Sequence, residues 1–176
     1  MRGLTHRAVD ELADLPPGST SNLARTRAAL LELTLSRLTE LEENALSPLL
    51  VPQHTDLAEM LADAVHTQLR NRRTTLARYE LALEATRRPE LRVIYDRAGS
   101  LFRDPAVAVL TAAGSRDPVR HARQLVAYAE GIMFDSIAGA GSDPSREDLV
   151  EAMREFLRGT VPGTEPPTAT GSTPPG

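Results

Sequence analysis

Apolar side chains recur at intervals of three and four residues through most of the sequence, which is the pattern of amphipathic helices. A first short helix is predicted from Thr5 to Ala13, with Thr5 as its cap, and a second follows the turn cluster Asp14–Ser19. Ser19 is the residue predicted to cap this second helix, which extends to about Arg25. The chain therefore opens with two short helices that flank a tight turn.

Longer helices follow this opening. Thr26 is placed to cap a third helix, which the Ser47-Pro48 pair stops. Further helices are predicted to begin near Asp56, Arg72, Pro89, Pro118 and Ser145. Asp104-Pro105 must kink or split the one that begins at Pro89, because proline has no N–H and clashes with the preceding turn. Every periodic segment indicates helix, so the predicted fold class is all-α.

From Gly159 onward the sequence is rich in proline, glycine and threonine, and Val161 is its only bulky aliphatic residue. Such a segment buries too little surface to offset the entropy lost on ordering. Residues 159–176 are therefore predicted to be a disordered tail.

Composition and charge exclude several classes of protein. There is no cysteine, which excludes disulfides and thiolate chemistry, and a net charge of −4 argues against coating nucleic acid by bulk charge. No apolar run reaches the roughly 18 residues of a membrane span, and residues 1–20 do not resemble a signal peptide. A cytoplasmic location without a membrane partner is expected, and any contact with DNA must be local.

The candidate chemistry of an enzyme is missing from the sequence. His6, His54, His66 and His121 are not spaced as metal ligands. The sequence also lacks a glycine-rich phosphate loop, a nucleophile elbow and an HExxH pattern. We therefore predict neither catalysis, a cofactor nor a metal site.

A helix, a glycine-containing turn, a short helix and a long helix form the layout of a helix-turn-helix. Three strings carry its details: Gly3-Leu4-Thr5-His6-Arg7-Ala8-Val9, Leu15-Pro16-Pro17-Gly18-Ser19-Thr20-Ser21-Asn22 and Arg25-Thr26-Arg27-Ala28-Ala29-Leu30-Leu31. In these strings the chain closely resembles the DNA-binding domain of the TetR family of transcription regulators, from its second helix onward. Later, Ala77-Arg78-Tyr79-Glu80-Leu81 is similar to the body of one subgroup.

The resemblance covers about residues 3–158 and implies a ligand-responsive regulator of the repressor type. Such a protein acts as a homodimer on double-stranded operator DNA and responds to a small-molecule effector, here unknown. The implied organisation is a partial helix-turn-helix DNA-binding domain at 1–46 and a helical effector-binding and dimerisation domain at 54–158, before the tail.

The resemblance also implies where DNA is contacted. The candidates are Thr5, Ser19, Thr20, Ser21, Asn22, Arg25 and Arg27. Thr20, Ser21 and Asn22 are expected to reach base edges, and Asn22 is, with the remaining four, also a candidate donor to phosphates. The ordinary alternatives stay open: Thr5 and Ser19 can be simple helix caps, and Arg25 and Arg27 can be solvated surface.

In the family the body encloses an effector pocket, and its last two large helices form the dimer. Candidate pocket residues, which can equally be plain core, are Tyr79, Leu83, Tyr95, Phe102, Tyr128 and Phe134. Candidate dimer residues on the two segments 118–138 and 145–158 are Leu125, Val126, Ala129, Ile132, Met133, Leu149, Met153, Phe156 and Leu157.

Three features depart from the family pattern. Asp14 stands where the family favours glycine in a turn with positive φ, and Leu23-Ala24 replaces a pair that usually includes larger side chains. The family's first helix belongs before Gly3, so we expect a DNA-binding domain without one wall and weak, salt-dependent operator binding. Two alternatives stay open: a dimerising, effector-binding module without operator binding, or a start codon farther upstream.

Overall fold

The computed structural model describes residues 3–50 and 56–162, apart from the side chains of Leu49, Leu50 and Leu101. Within these ranges the chain forms α-helices and one 3₁₀ turn, Ser47–Leu50, with no strand. The α-helices are α1 (His6–Leu12), α2 (Ser19–Leu23), α3 (Arg27–Leu46), α4 (Leu57–Arg70), α5 (Arg72–Ala85), α6 (Pro89–Ala112), α7 (Pro118–Ala138) and α8 (Arg146–Arg158). The predicted all-α class is confirmed.

Most helices begin at the residues that the sequence predicts. The Thr5 hydroxyl oxygen accepts from the Ala8 N–H at 3.2 Å, and that of Thr26 accepts from the Ala29 N–H at 3.1 Å. Ser145 and Asp148 form a reciprocal capping box at the start of α8. Each of these caps satisfies backbone donors that the first turn of a helix leaves without a partner.

The cap of α2 differs from the prediction. Gly18 occupies the cap position with φ of 91°, and Ser19 is already the first helical residue. The Ser19 hydroxyl instead donates to the Pro16 carbonyl at 2.7 Å. Glycine takes this left-handed conformation without the steric cost of a Cβ atom, so it displaces serine from the cap. The predicted positive φ at Asp14 is confirmed, at 53°.

α6 passes through Pro105 as one continuous helix, so the option of a split element is wrong. Proline removes one N–H donor from the helix, and the surrounding turns keep the element together. The helix ends before Gly114, as predicted, with φ of 80° at that glycine and a bond from the Ser115 N–H to the Leu110 carbonyl at 3.0 Å.

Two parts of the molecule differ in how they are packed. We call residues 3–26, which contain α1 and α2, the head, and α3 to α8 the body. In the body, Leu31 and Leu35 of α3 pack with Leu81, Ala85 and Leu91 of α5 and α6. A larger cluster joins α4, α6, α7 and α8, with α4 packed on α8 and α6 on α7. α3 therefore begins directly after the head and packs along its length into the body.

The body extends beyond α8. Val161, which lies in the predicted tail, is buried in the larger cluster, and its N–H donates to the Leu157 carbonyl at 2.8 Å. Residues 163–176 of that predicted tail lie outside the described residues.

Candidate nucleic-acid interface and effector cavity

The turn of the head is organised by one buried carboxylate, that of Asp10. Its oxygens accept from the backbone N–H groups of Gly18 and Thr20, each at 2.8 Å, and from the Thr20 hydroxyl. The hydrogen bond from the Thr20 side chain is the main reason why the pKa of Asp10 lies below its ordinary value. A carboxylate on the first N–H groups of α2 fixes how this helix is presented.

Two further polar contacts fix the head, one within it and one to the first residue of α3. A ring nitrogen of His6 lies 2.5 Å from the Ala24 carbonyl oxygen, and the Arg27 guanidinium donates to the Leu4 carbonyl at 2.6 Å. Sequence reasoning missed Asp10 and His6 because a single acid or histidine on a short helix has many ordinary explanations.

The predicted DNA contacts separate into exposed and internal residues. Thr5, Asn22 and Arg25 are exposed, and Ser19 and Ser21 are partly buried. Thr20 is buried and bonded to Asp10, so its assignment as a base contact is corrected to a positioning role. Arg27 holds the Leu4 carbonyl, which gives it a structural task within the protomer.

The head also presents unusual apolar surface. The exposed fraction is 92% for Leu12 and 81% for Leu23, whereas Ala24 is buried. Of the pair that departs from the family pattern, Leu23 therefore lies on the surface of the head and Ala24 belongs to its interior.

The body contains a cavity of about 430 Å³ between α3, α4, α6, α7 and α8. Its walls are mainly apolar and include Leu61, Val65, Phe102, Val109 and Leu125. The volume falls in the range of small-molecule sites, roughly 300–1,000 Å³. Its polar side chains are Thr39, Glu43, Ser47, Gln68 and Asp104.

A second cavity of about 260 Å³ adjoins the first, and both are lined by Thr39, Phe102 and Val126. Its own lining includes Tyr95, Arg78 and Glu130. The Phe102 side chain therefore lies between the apolar first cavity and the charged second cavity.

Only part of the predicted pocket lines these chambers. Phe102 contributes to both and Tyr95 to the second. Tyr79 packs against the larger apolar cluster and makes an edge contact with Phe134, with ring centroids 5.4 Å apart. The prediction of a pocket role is corrected for Leu83, Tyr128 and Phe134, because they are exposed and line neither cavity.

The cavity residues that sequence reasoning missed lie mostly on α3 and α4. Gln68 interrupts the apolar face of α4, between Val65 and Leu69, and this interruption was the available signal. The sequence period identifies an apolar face but does not tell whether that face meets another helix or an open space.

A buried ion cluster connects three helices beside the second cavity. Arg78 on α5 donates to the Glu42 carboxylate on α3 at 2.9 Å and to the Glu130 carboxylate on α7 at 2.8 Å. Burial raises the pKa of Glu42, and the Arg78 charge opposes that rise only in part. Glu42 Oε2 is buried without a hydrogen-bond partner among the described residues. The cluster thus joins α3 to the cavity region of the body.

The predicted dimer residues also divide into two groups. Five belong to the core of the single protomer, namely Leu125, Met133, Leu149, Met153 and Leu157. The prediction that these five side chains contact a partner subunit is corrected, because a side chain that is already buried in the protomer has almost no surface left for a partner. Val126, Ala129, Ile132 and Phe156 are partly buried.

The exposed apolar surface of this region lies mainly on α7. Tyr128 and Phe134 are exposed there, and Tyr128 stacks on Phe156 of α8 with ring centroids 5.9 Å apart. Gly131 lies between them, and beyond the adjacent residues and the backbone of its own helix no described atom would come within 4 Å of a Cβ placed on it.

Within residues 3–50 and 56–162, no group of His, Asp or Glu is arranged to hold a metal ion. In the same part of the chain, none of the helices combines the length and apolar character needed to cross a membrane.

A helix-turn-helix joined through one long helix to a helical body with an apolar cavity defines the class of helical transcription regulators. Residues 52–163 match the family model described as tetracyclin repressor-like, C-terminal domain. The chain belongs to the TetR family of transcriptional regulators. This family membership places it among regulators and not among enzymes.

Solved structures agree with this assignment. The fold is similar to that of a transcriptional regulator from Rhodococcus sp. Rha1, with a TM-score of 0.78, 22% identity, and 90% of this chain and 88% of that one covered. The multidrug binding protein EbrR, solved with proflavin, gives a TM-score of 0.64 at 30% identity and 88% coverage of both chains. Salmonella enterica GusR gives 0.70 at 18% identity, with 89% and 86% covered. The comparison with curated proteins found no match.

Proposed function

We propose that this TetR-family regulator is a cytoplasmic, homodimeric repressor that binds operator DNA through its head and releases it when a small molecule occupies the 430 Å³ cavity. The observation that carries the proposal is the position of α3. This helix begins next to the head, and its later residues Thr39, Glu43 and Leu46 line the cavity.

The coupling follows from this geometry. A ligand that needs more room than the empty cavity offers favours a different position of α3, and the head moves with the start of that helix. The operator-bound and released states then differ in their affinity for the ligand, which is the thermodynamic condition for a response. The multidrug binding function of EbrR supports a small molecule as the effector.

On the DNA side, α2 is the helix that would enter the major groove. Asn22 and Arg25 are exposed at its end, and Thr5 is exposed at the start of α1. Asn22 suits a base edge and Arg25 a phosphate, while Asp10 and Thr20 hold the helix from behind.

The proposed dimer uses the exposed face of α7 around Tyr128, Gly131 and Phe134. An exposed aromatic pair next to an open glycine allows a second helix to approach closely. Gly131→Arg places a long charged side chain at this exposed position, where the added Cβ meets no neighbour, and we expect it to give monomers in sedimentation. Ala112→Arg, on an exposed position of α6, is the matched control and should leave dimers intact.

The DNA function is tested by selecting duplexes from a random library with the full chain. An enriched pseudo-palindrome is expected, because paired heads read two half-sites about one helical turn apart. Arg25→Ala should weaken binding to all sequences and reduce the salt dependence by about one phosphate contact. The exposed Arg7, which pairs with Glu11 on the first helix, provides the control substitution Arg7→Ala.

The effector function is then tested on the selected duplex. Proflavin, the compound in the EbrR structure, should release DNA from the wild-type protein but not from a variant whose cavity is filled, Ala64→Phe. If no sequence is enriched while proflavin still binds, the protein is an effector-binding module without operator recognition.

A further inference from the structure

The main cavity has an asymmetric distribution of charge. Glu43 from α3 and Asp104 from α6 line it, and both side chains are exposed. Among the described residues neither carboxylate has an ion-pair partner, although many other acids of the body do. The described lining of this cavity contains neither arginine nor histidine.

One polar side chain interrupts the apolar wall of the same cavity. The Gln68 side-chain oxygen is buried and has no hydrogen-bond partner among the described residues. Gln68 lines the cavity together with apolar side chains such as Leu61 and Val65. The oxygen itself has almost no accessible surface, so the contribution of Gln68 to the cavity wall comes from the rest of its side chain.

Two arginines, Arg78 and Arg103, line the neighbouring cavity, and the Arg103 guanidinium donates to the Asp96 carbonyl at 3.2 Å. Arg78 lies in the neighbouring chamber, where Glu42 and Glu130 already bind its guanidinium. Phe102 stands between the two chambers, with the Arg78 guanidinium 5.7 Å from its ring centroid. The main cavity therefore combines an apolar interior with two carboxylates that have no ion-pair partner among the described residues.

From this arrangement we infer that the effector is a lipophilic cation, with its apolar part in the cavity and its positive charge near Glu43 and Asp104. The inference rests on the proposed function, because it specifies the chemical class of ligand for the same cavity. An apolar interior binds neutral, positive and negative lipophilic molecules alike, so the two carboxylates decide among them by charge.

The test uses the full chain and proflavin, which is positively charged at neutral pH and whose fluorescence polarisation reports binding. Two competitors of matched shape and opposite charge, tetraphenylphosphonium and tetraphenylborate, then compare charge at nearly constant size. We expect the phosphonium to displace proflavin at a concentration at least about tenfold lower than the borate.

Substitutions identify the groups responsible. The double variant Glu43→Gln and Asp104→Asn should weaken proflavin binding about five- to tenfold and reduce the preference for the phosphonium. The expected effect is modest because partly solvated charges contribute little to the free energy of binding. The matched control is Glu147→Gln with Asp143→Asn, two exposed acids that do not line the cavity. This control makes the same two chemical changes, removes the same net charge and should leave the affinity nearly unchanged.

The possible results separate the two proposals. Equal displacement by both competitors, preference for the borate, or full proflavin affinity in the double variant each overturns the inference about charge. A failure of proflavin to bind the wild-type protein overturns it as well. The cavity as the effector site fails separately if Ala64→Phe and Val109→Phe, each checked for wild-type helicity, leave binding of every probe unchanged.

Discussion

The head and the body are stabilised in different ways. In the head, polar contacts hold the turn, chiefly the hydrogen bonds that the Asp10 carboxylate accepts from Gly18 and Thr20. The side chains of Leu12 and Leu23 remain exposed to solvent. The body buries a large apolar cluster and adds an ion cluster that ties α3 to two other helices. Apolar burial depends little on exact geometry, whereas hydrogen bonds require it. The body can therefore stay folded while the head loses the orientation that DNA recognition needs.

The largest expected effect is in the body, at Arg78. Arg78→Met removes the partner of Glu42 and leaves a buried carboxyl group that must be protonated or unpaired. We expect a loss of about 4 kcal/mol in the free energy of unfolding, measured by denaturant titration. Adding Glu42→Leu should recover much of that loss, because the buried acid is then absent. No recovery would show that Arg78 stabilises the body by packing and not through Glu42.

Apolar burial provides the second comparison within the body. Leu149→Ala removes a side chain that is 1% exposed, and we expect it to cost about 3 kcal/mol. Leu83→Ala makes the same chemical change at a side chain that is 57% exposed, and it should cost less than about 0.5 kcal/mol. Similar losses at both positions would contradict the difference in burial between Leu149 and Leu83.

In the head, Asp10→Asn should reduce operator affinity while hardly changing the main thermal transition. An amide has one acceptor oxygen, so it cannot replace the carboxylate that serves Gly18 and Thr20 together. The expected weakening is about tenfold, as for the loss of a helix cap. Asp14→Asn is the control, because asparagine also tolerates the positive φ found there. Equal effects of both substitutions would contradict the positioning role of Asp10.

The smallest effects concern pH, and they have opposite signs in the two regions. The pKa of Asp10 is lowered on folding, so its contribution is present above the ordinary value of 3.8 and is lost as the pH falls. The pKa of Glu42 is raised, so stability declines as the pH rises above its ordinary value of 4.5. Hydrogen exchange of the Gly18 and Thr20 amides, and unfolding of the wild type against Glu42→Gln, measure these two trends. If both measurements changed with pH in the same direction, the lowered pKa of Asp10 and the raised pKa of Glu42 could not both be right.

The sequence predicts the helices well because their signals are local. The caps at Thr5, Thr26 and Ser145 and the apolar period of α7 depend on residues a few positions apart. The site is harder to predict because it depends on which helices meet. Periodicity does not distinguish Leu125 from Tyr128, yet Leu125 lies in the core of the protomer and Tyr128 lies on its surface. The contacts of Arg78 with α3 and α7 are likewise separated by 36 and 52 positions in the chain.

The exposed position of Glu43 and Asp104 has an evolutionary consequence. Neither side chain belongs to the buried clusters that keep the body folded. A mutation at either position therefore changes the charge offered to a ligand at little cost in stability, since exposed substitutions usually alter it by less than about 0.5 kcal/mol. If the effector is a cation as inferred above, few mutational steps, none passing through an unstable intermediate, lead to a variant that responds to neutral or acidic compounds. New ligand responses can thus arise in this scaffold faster than new folds.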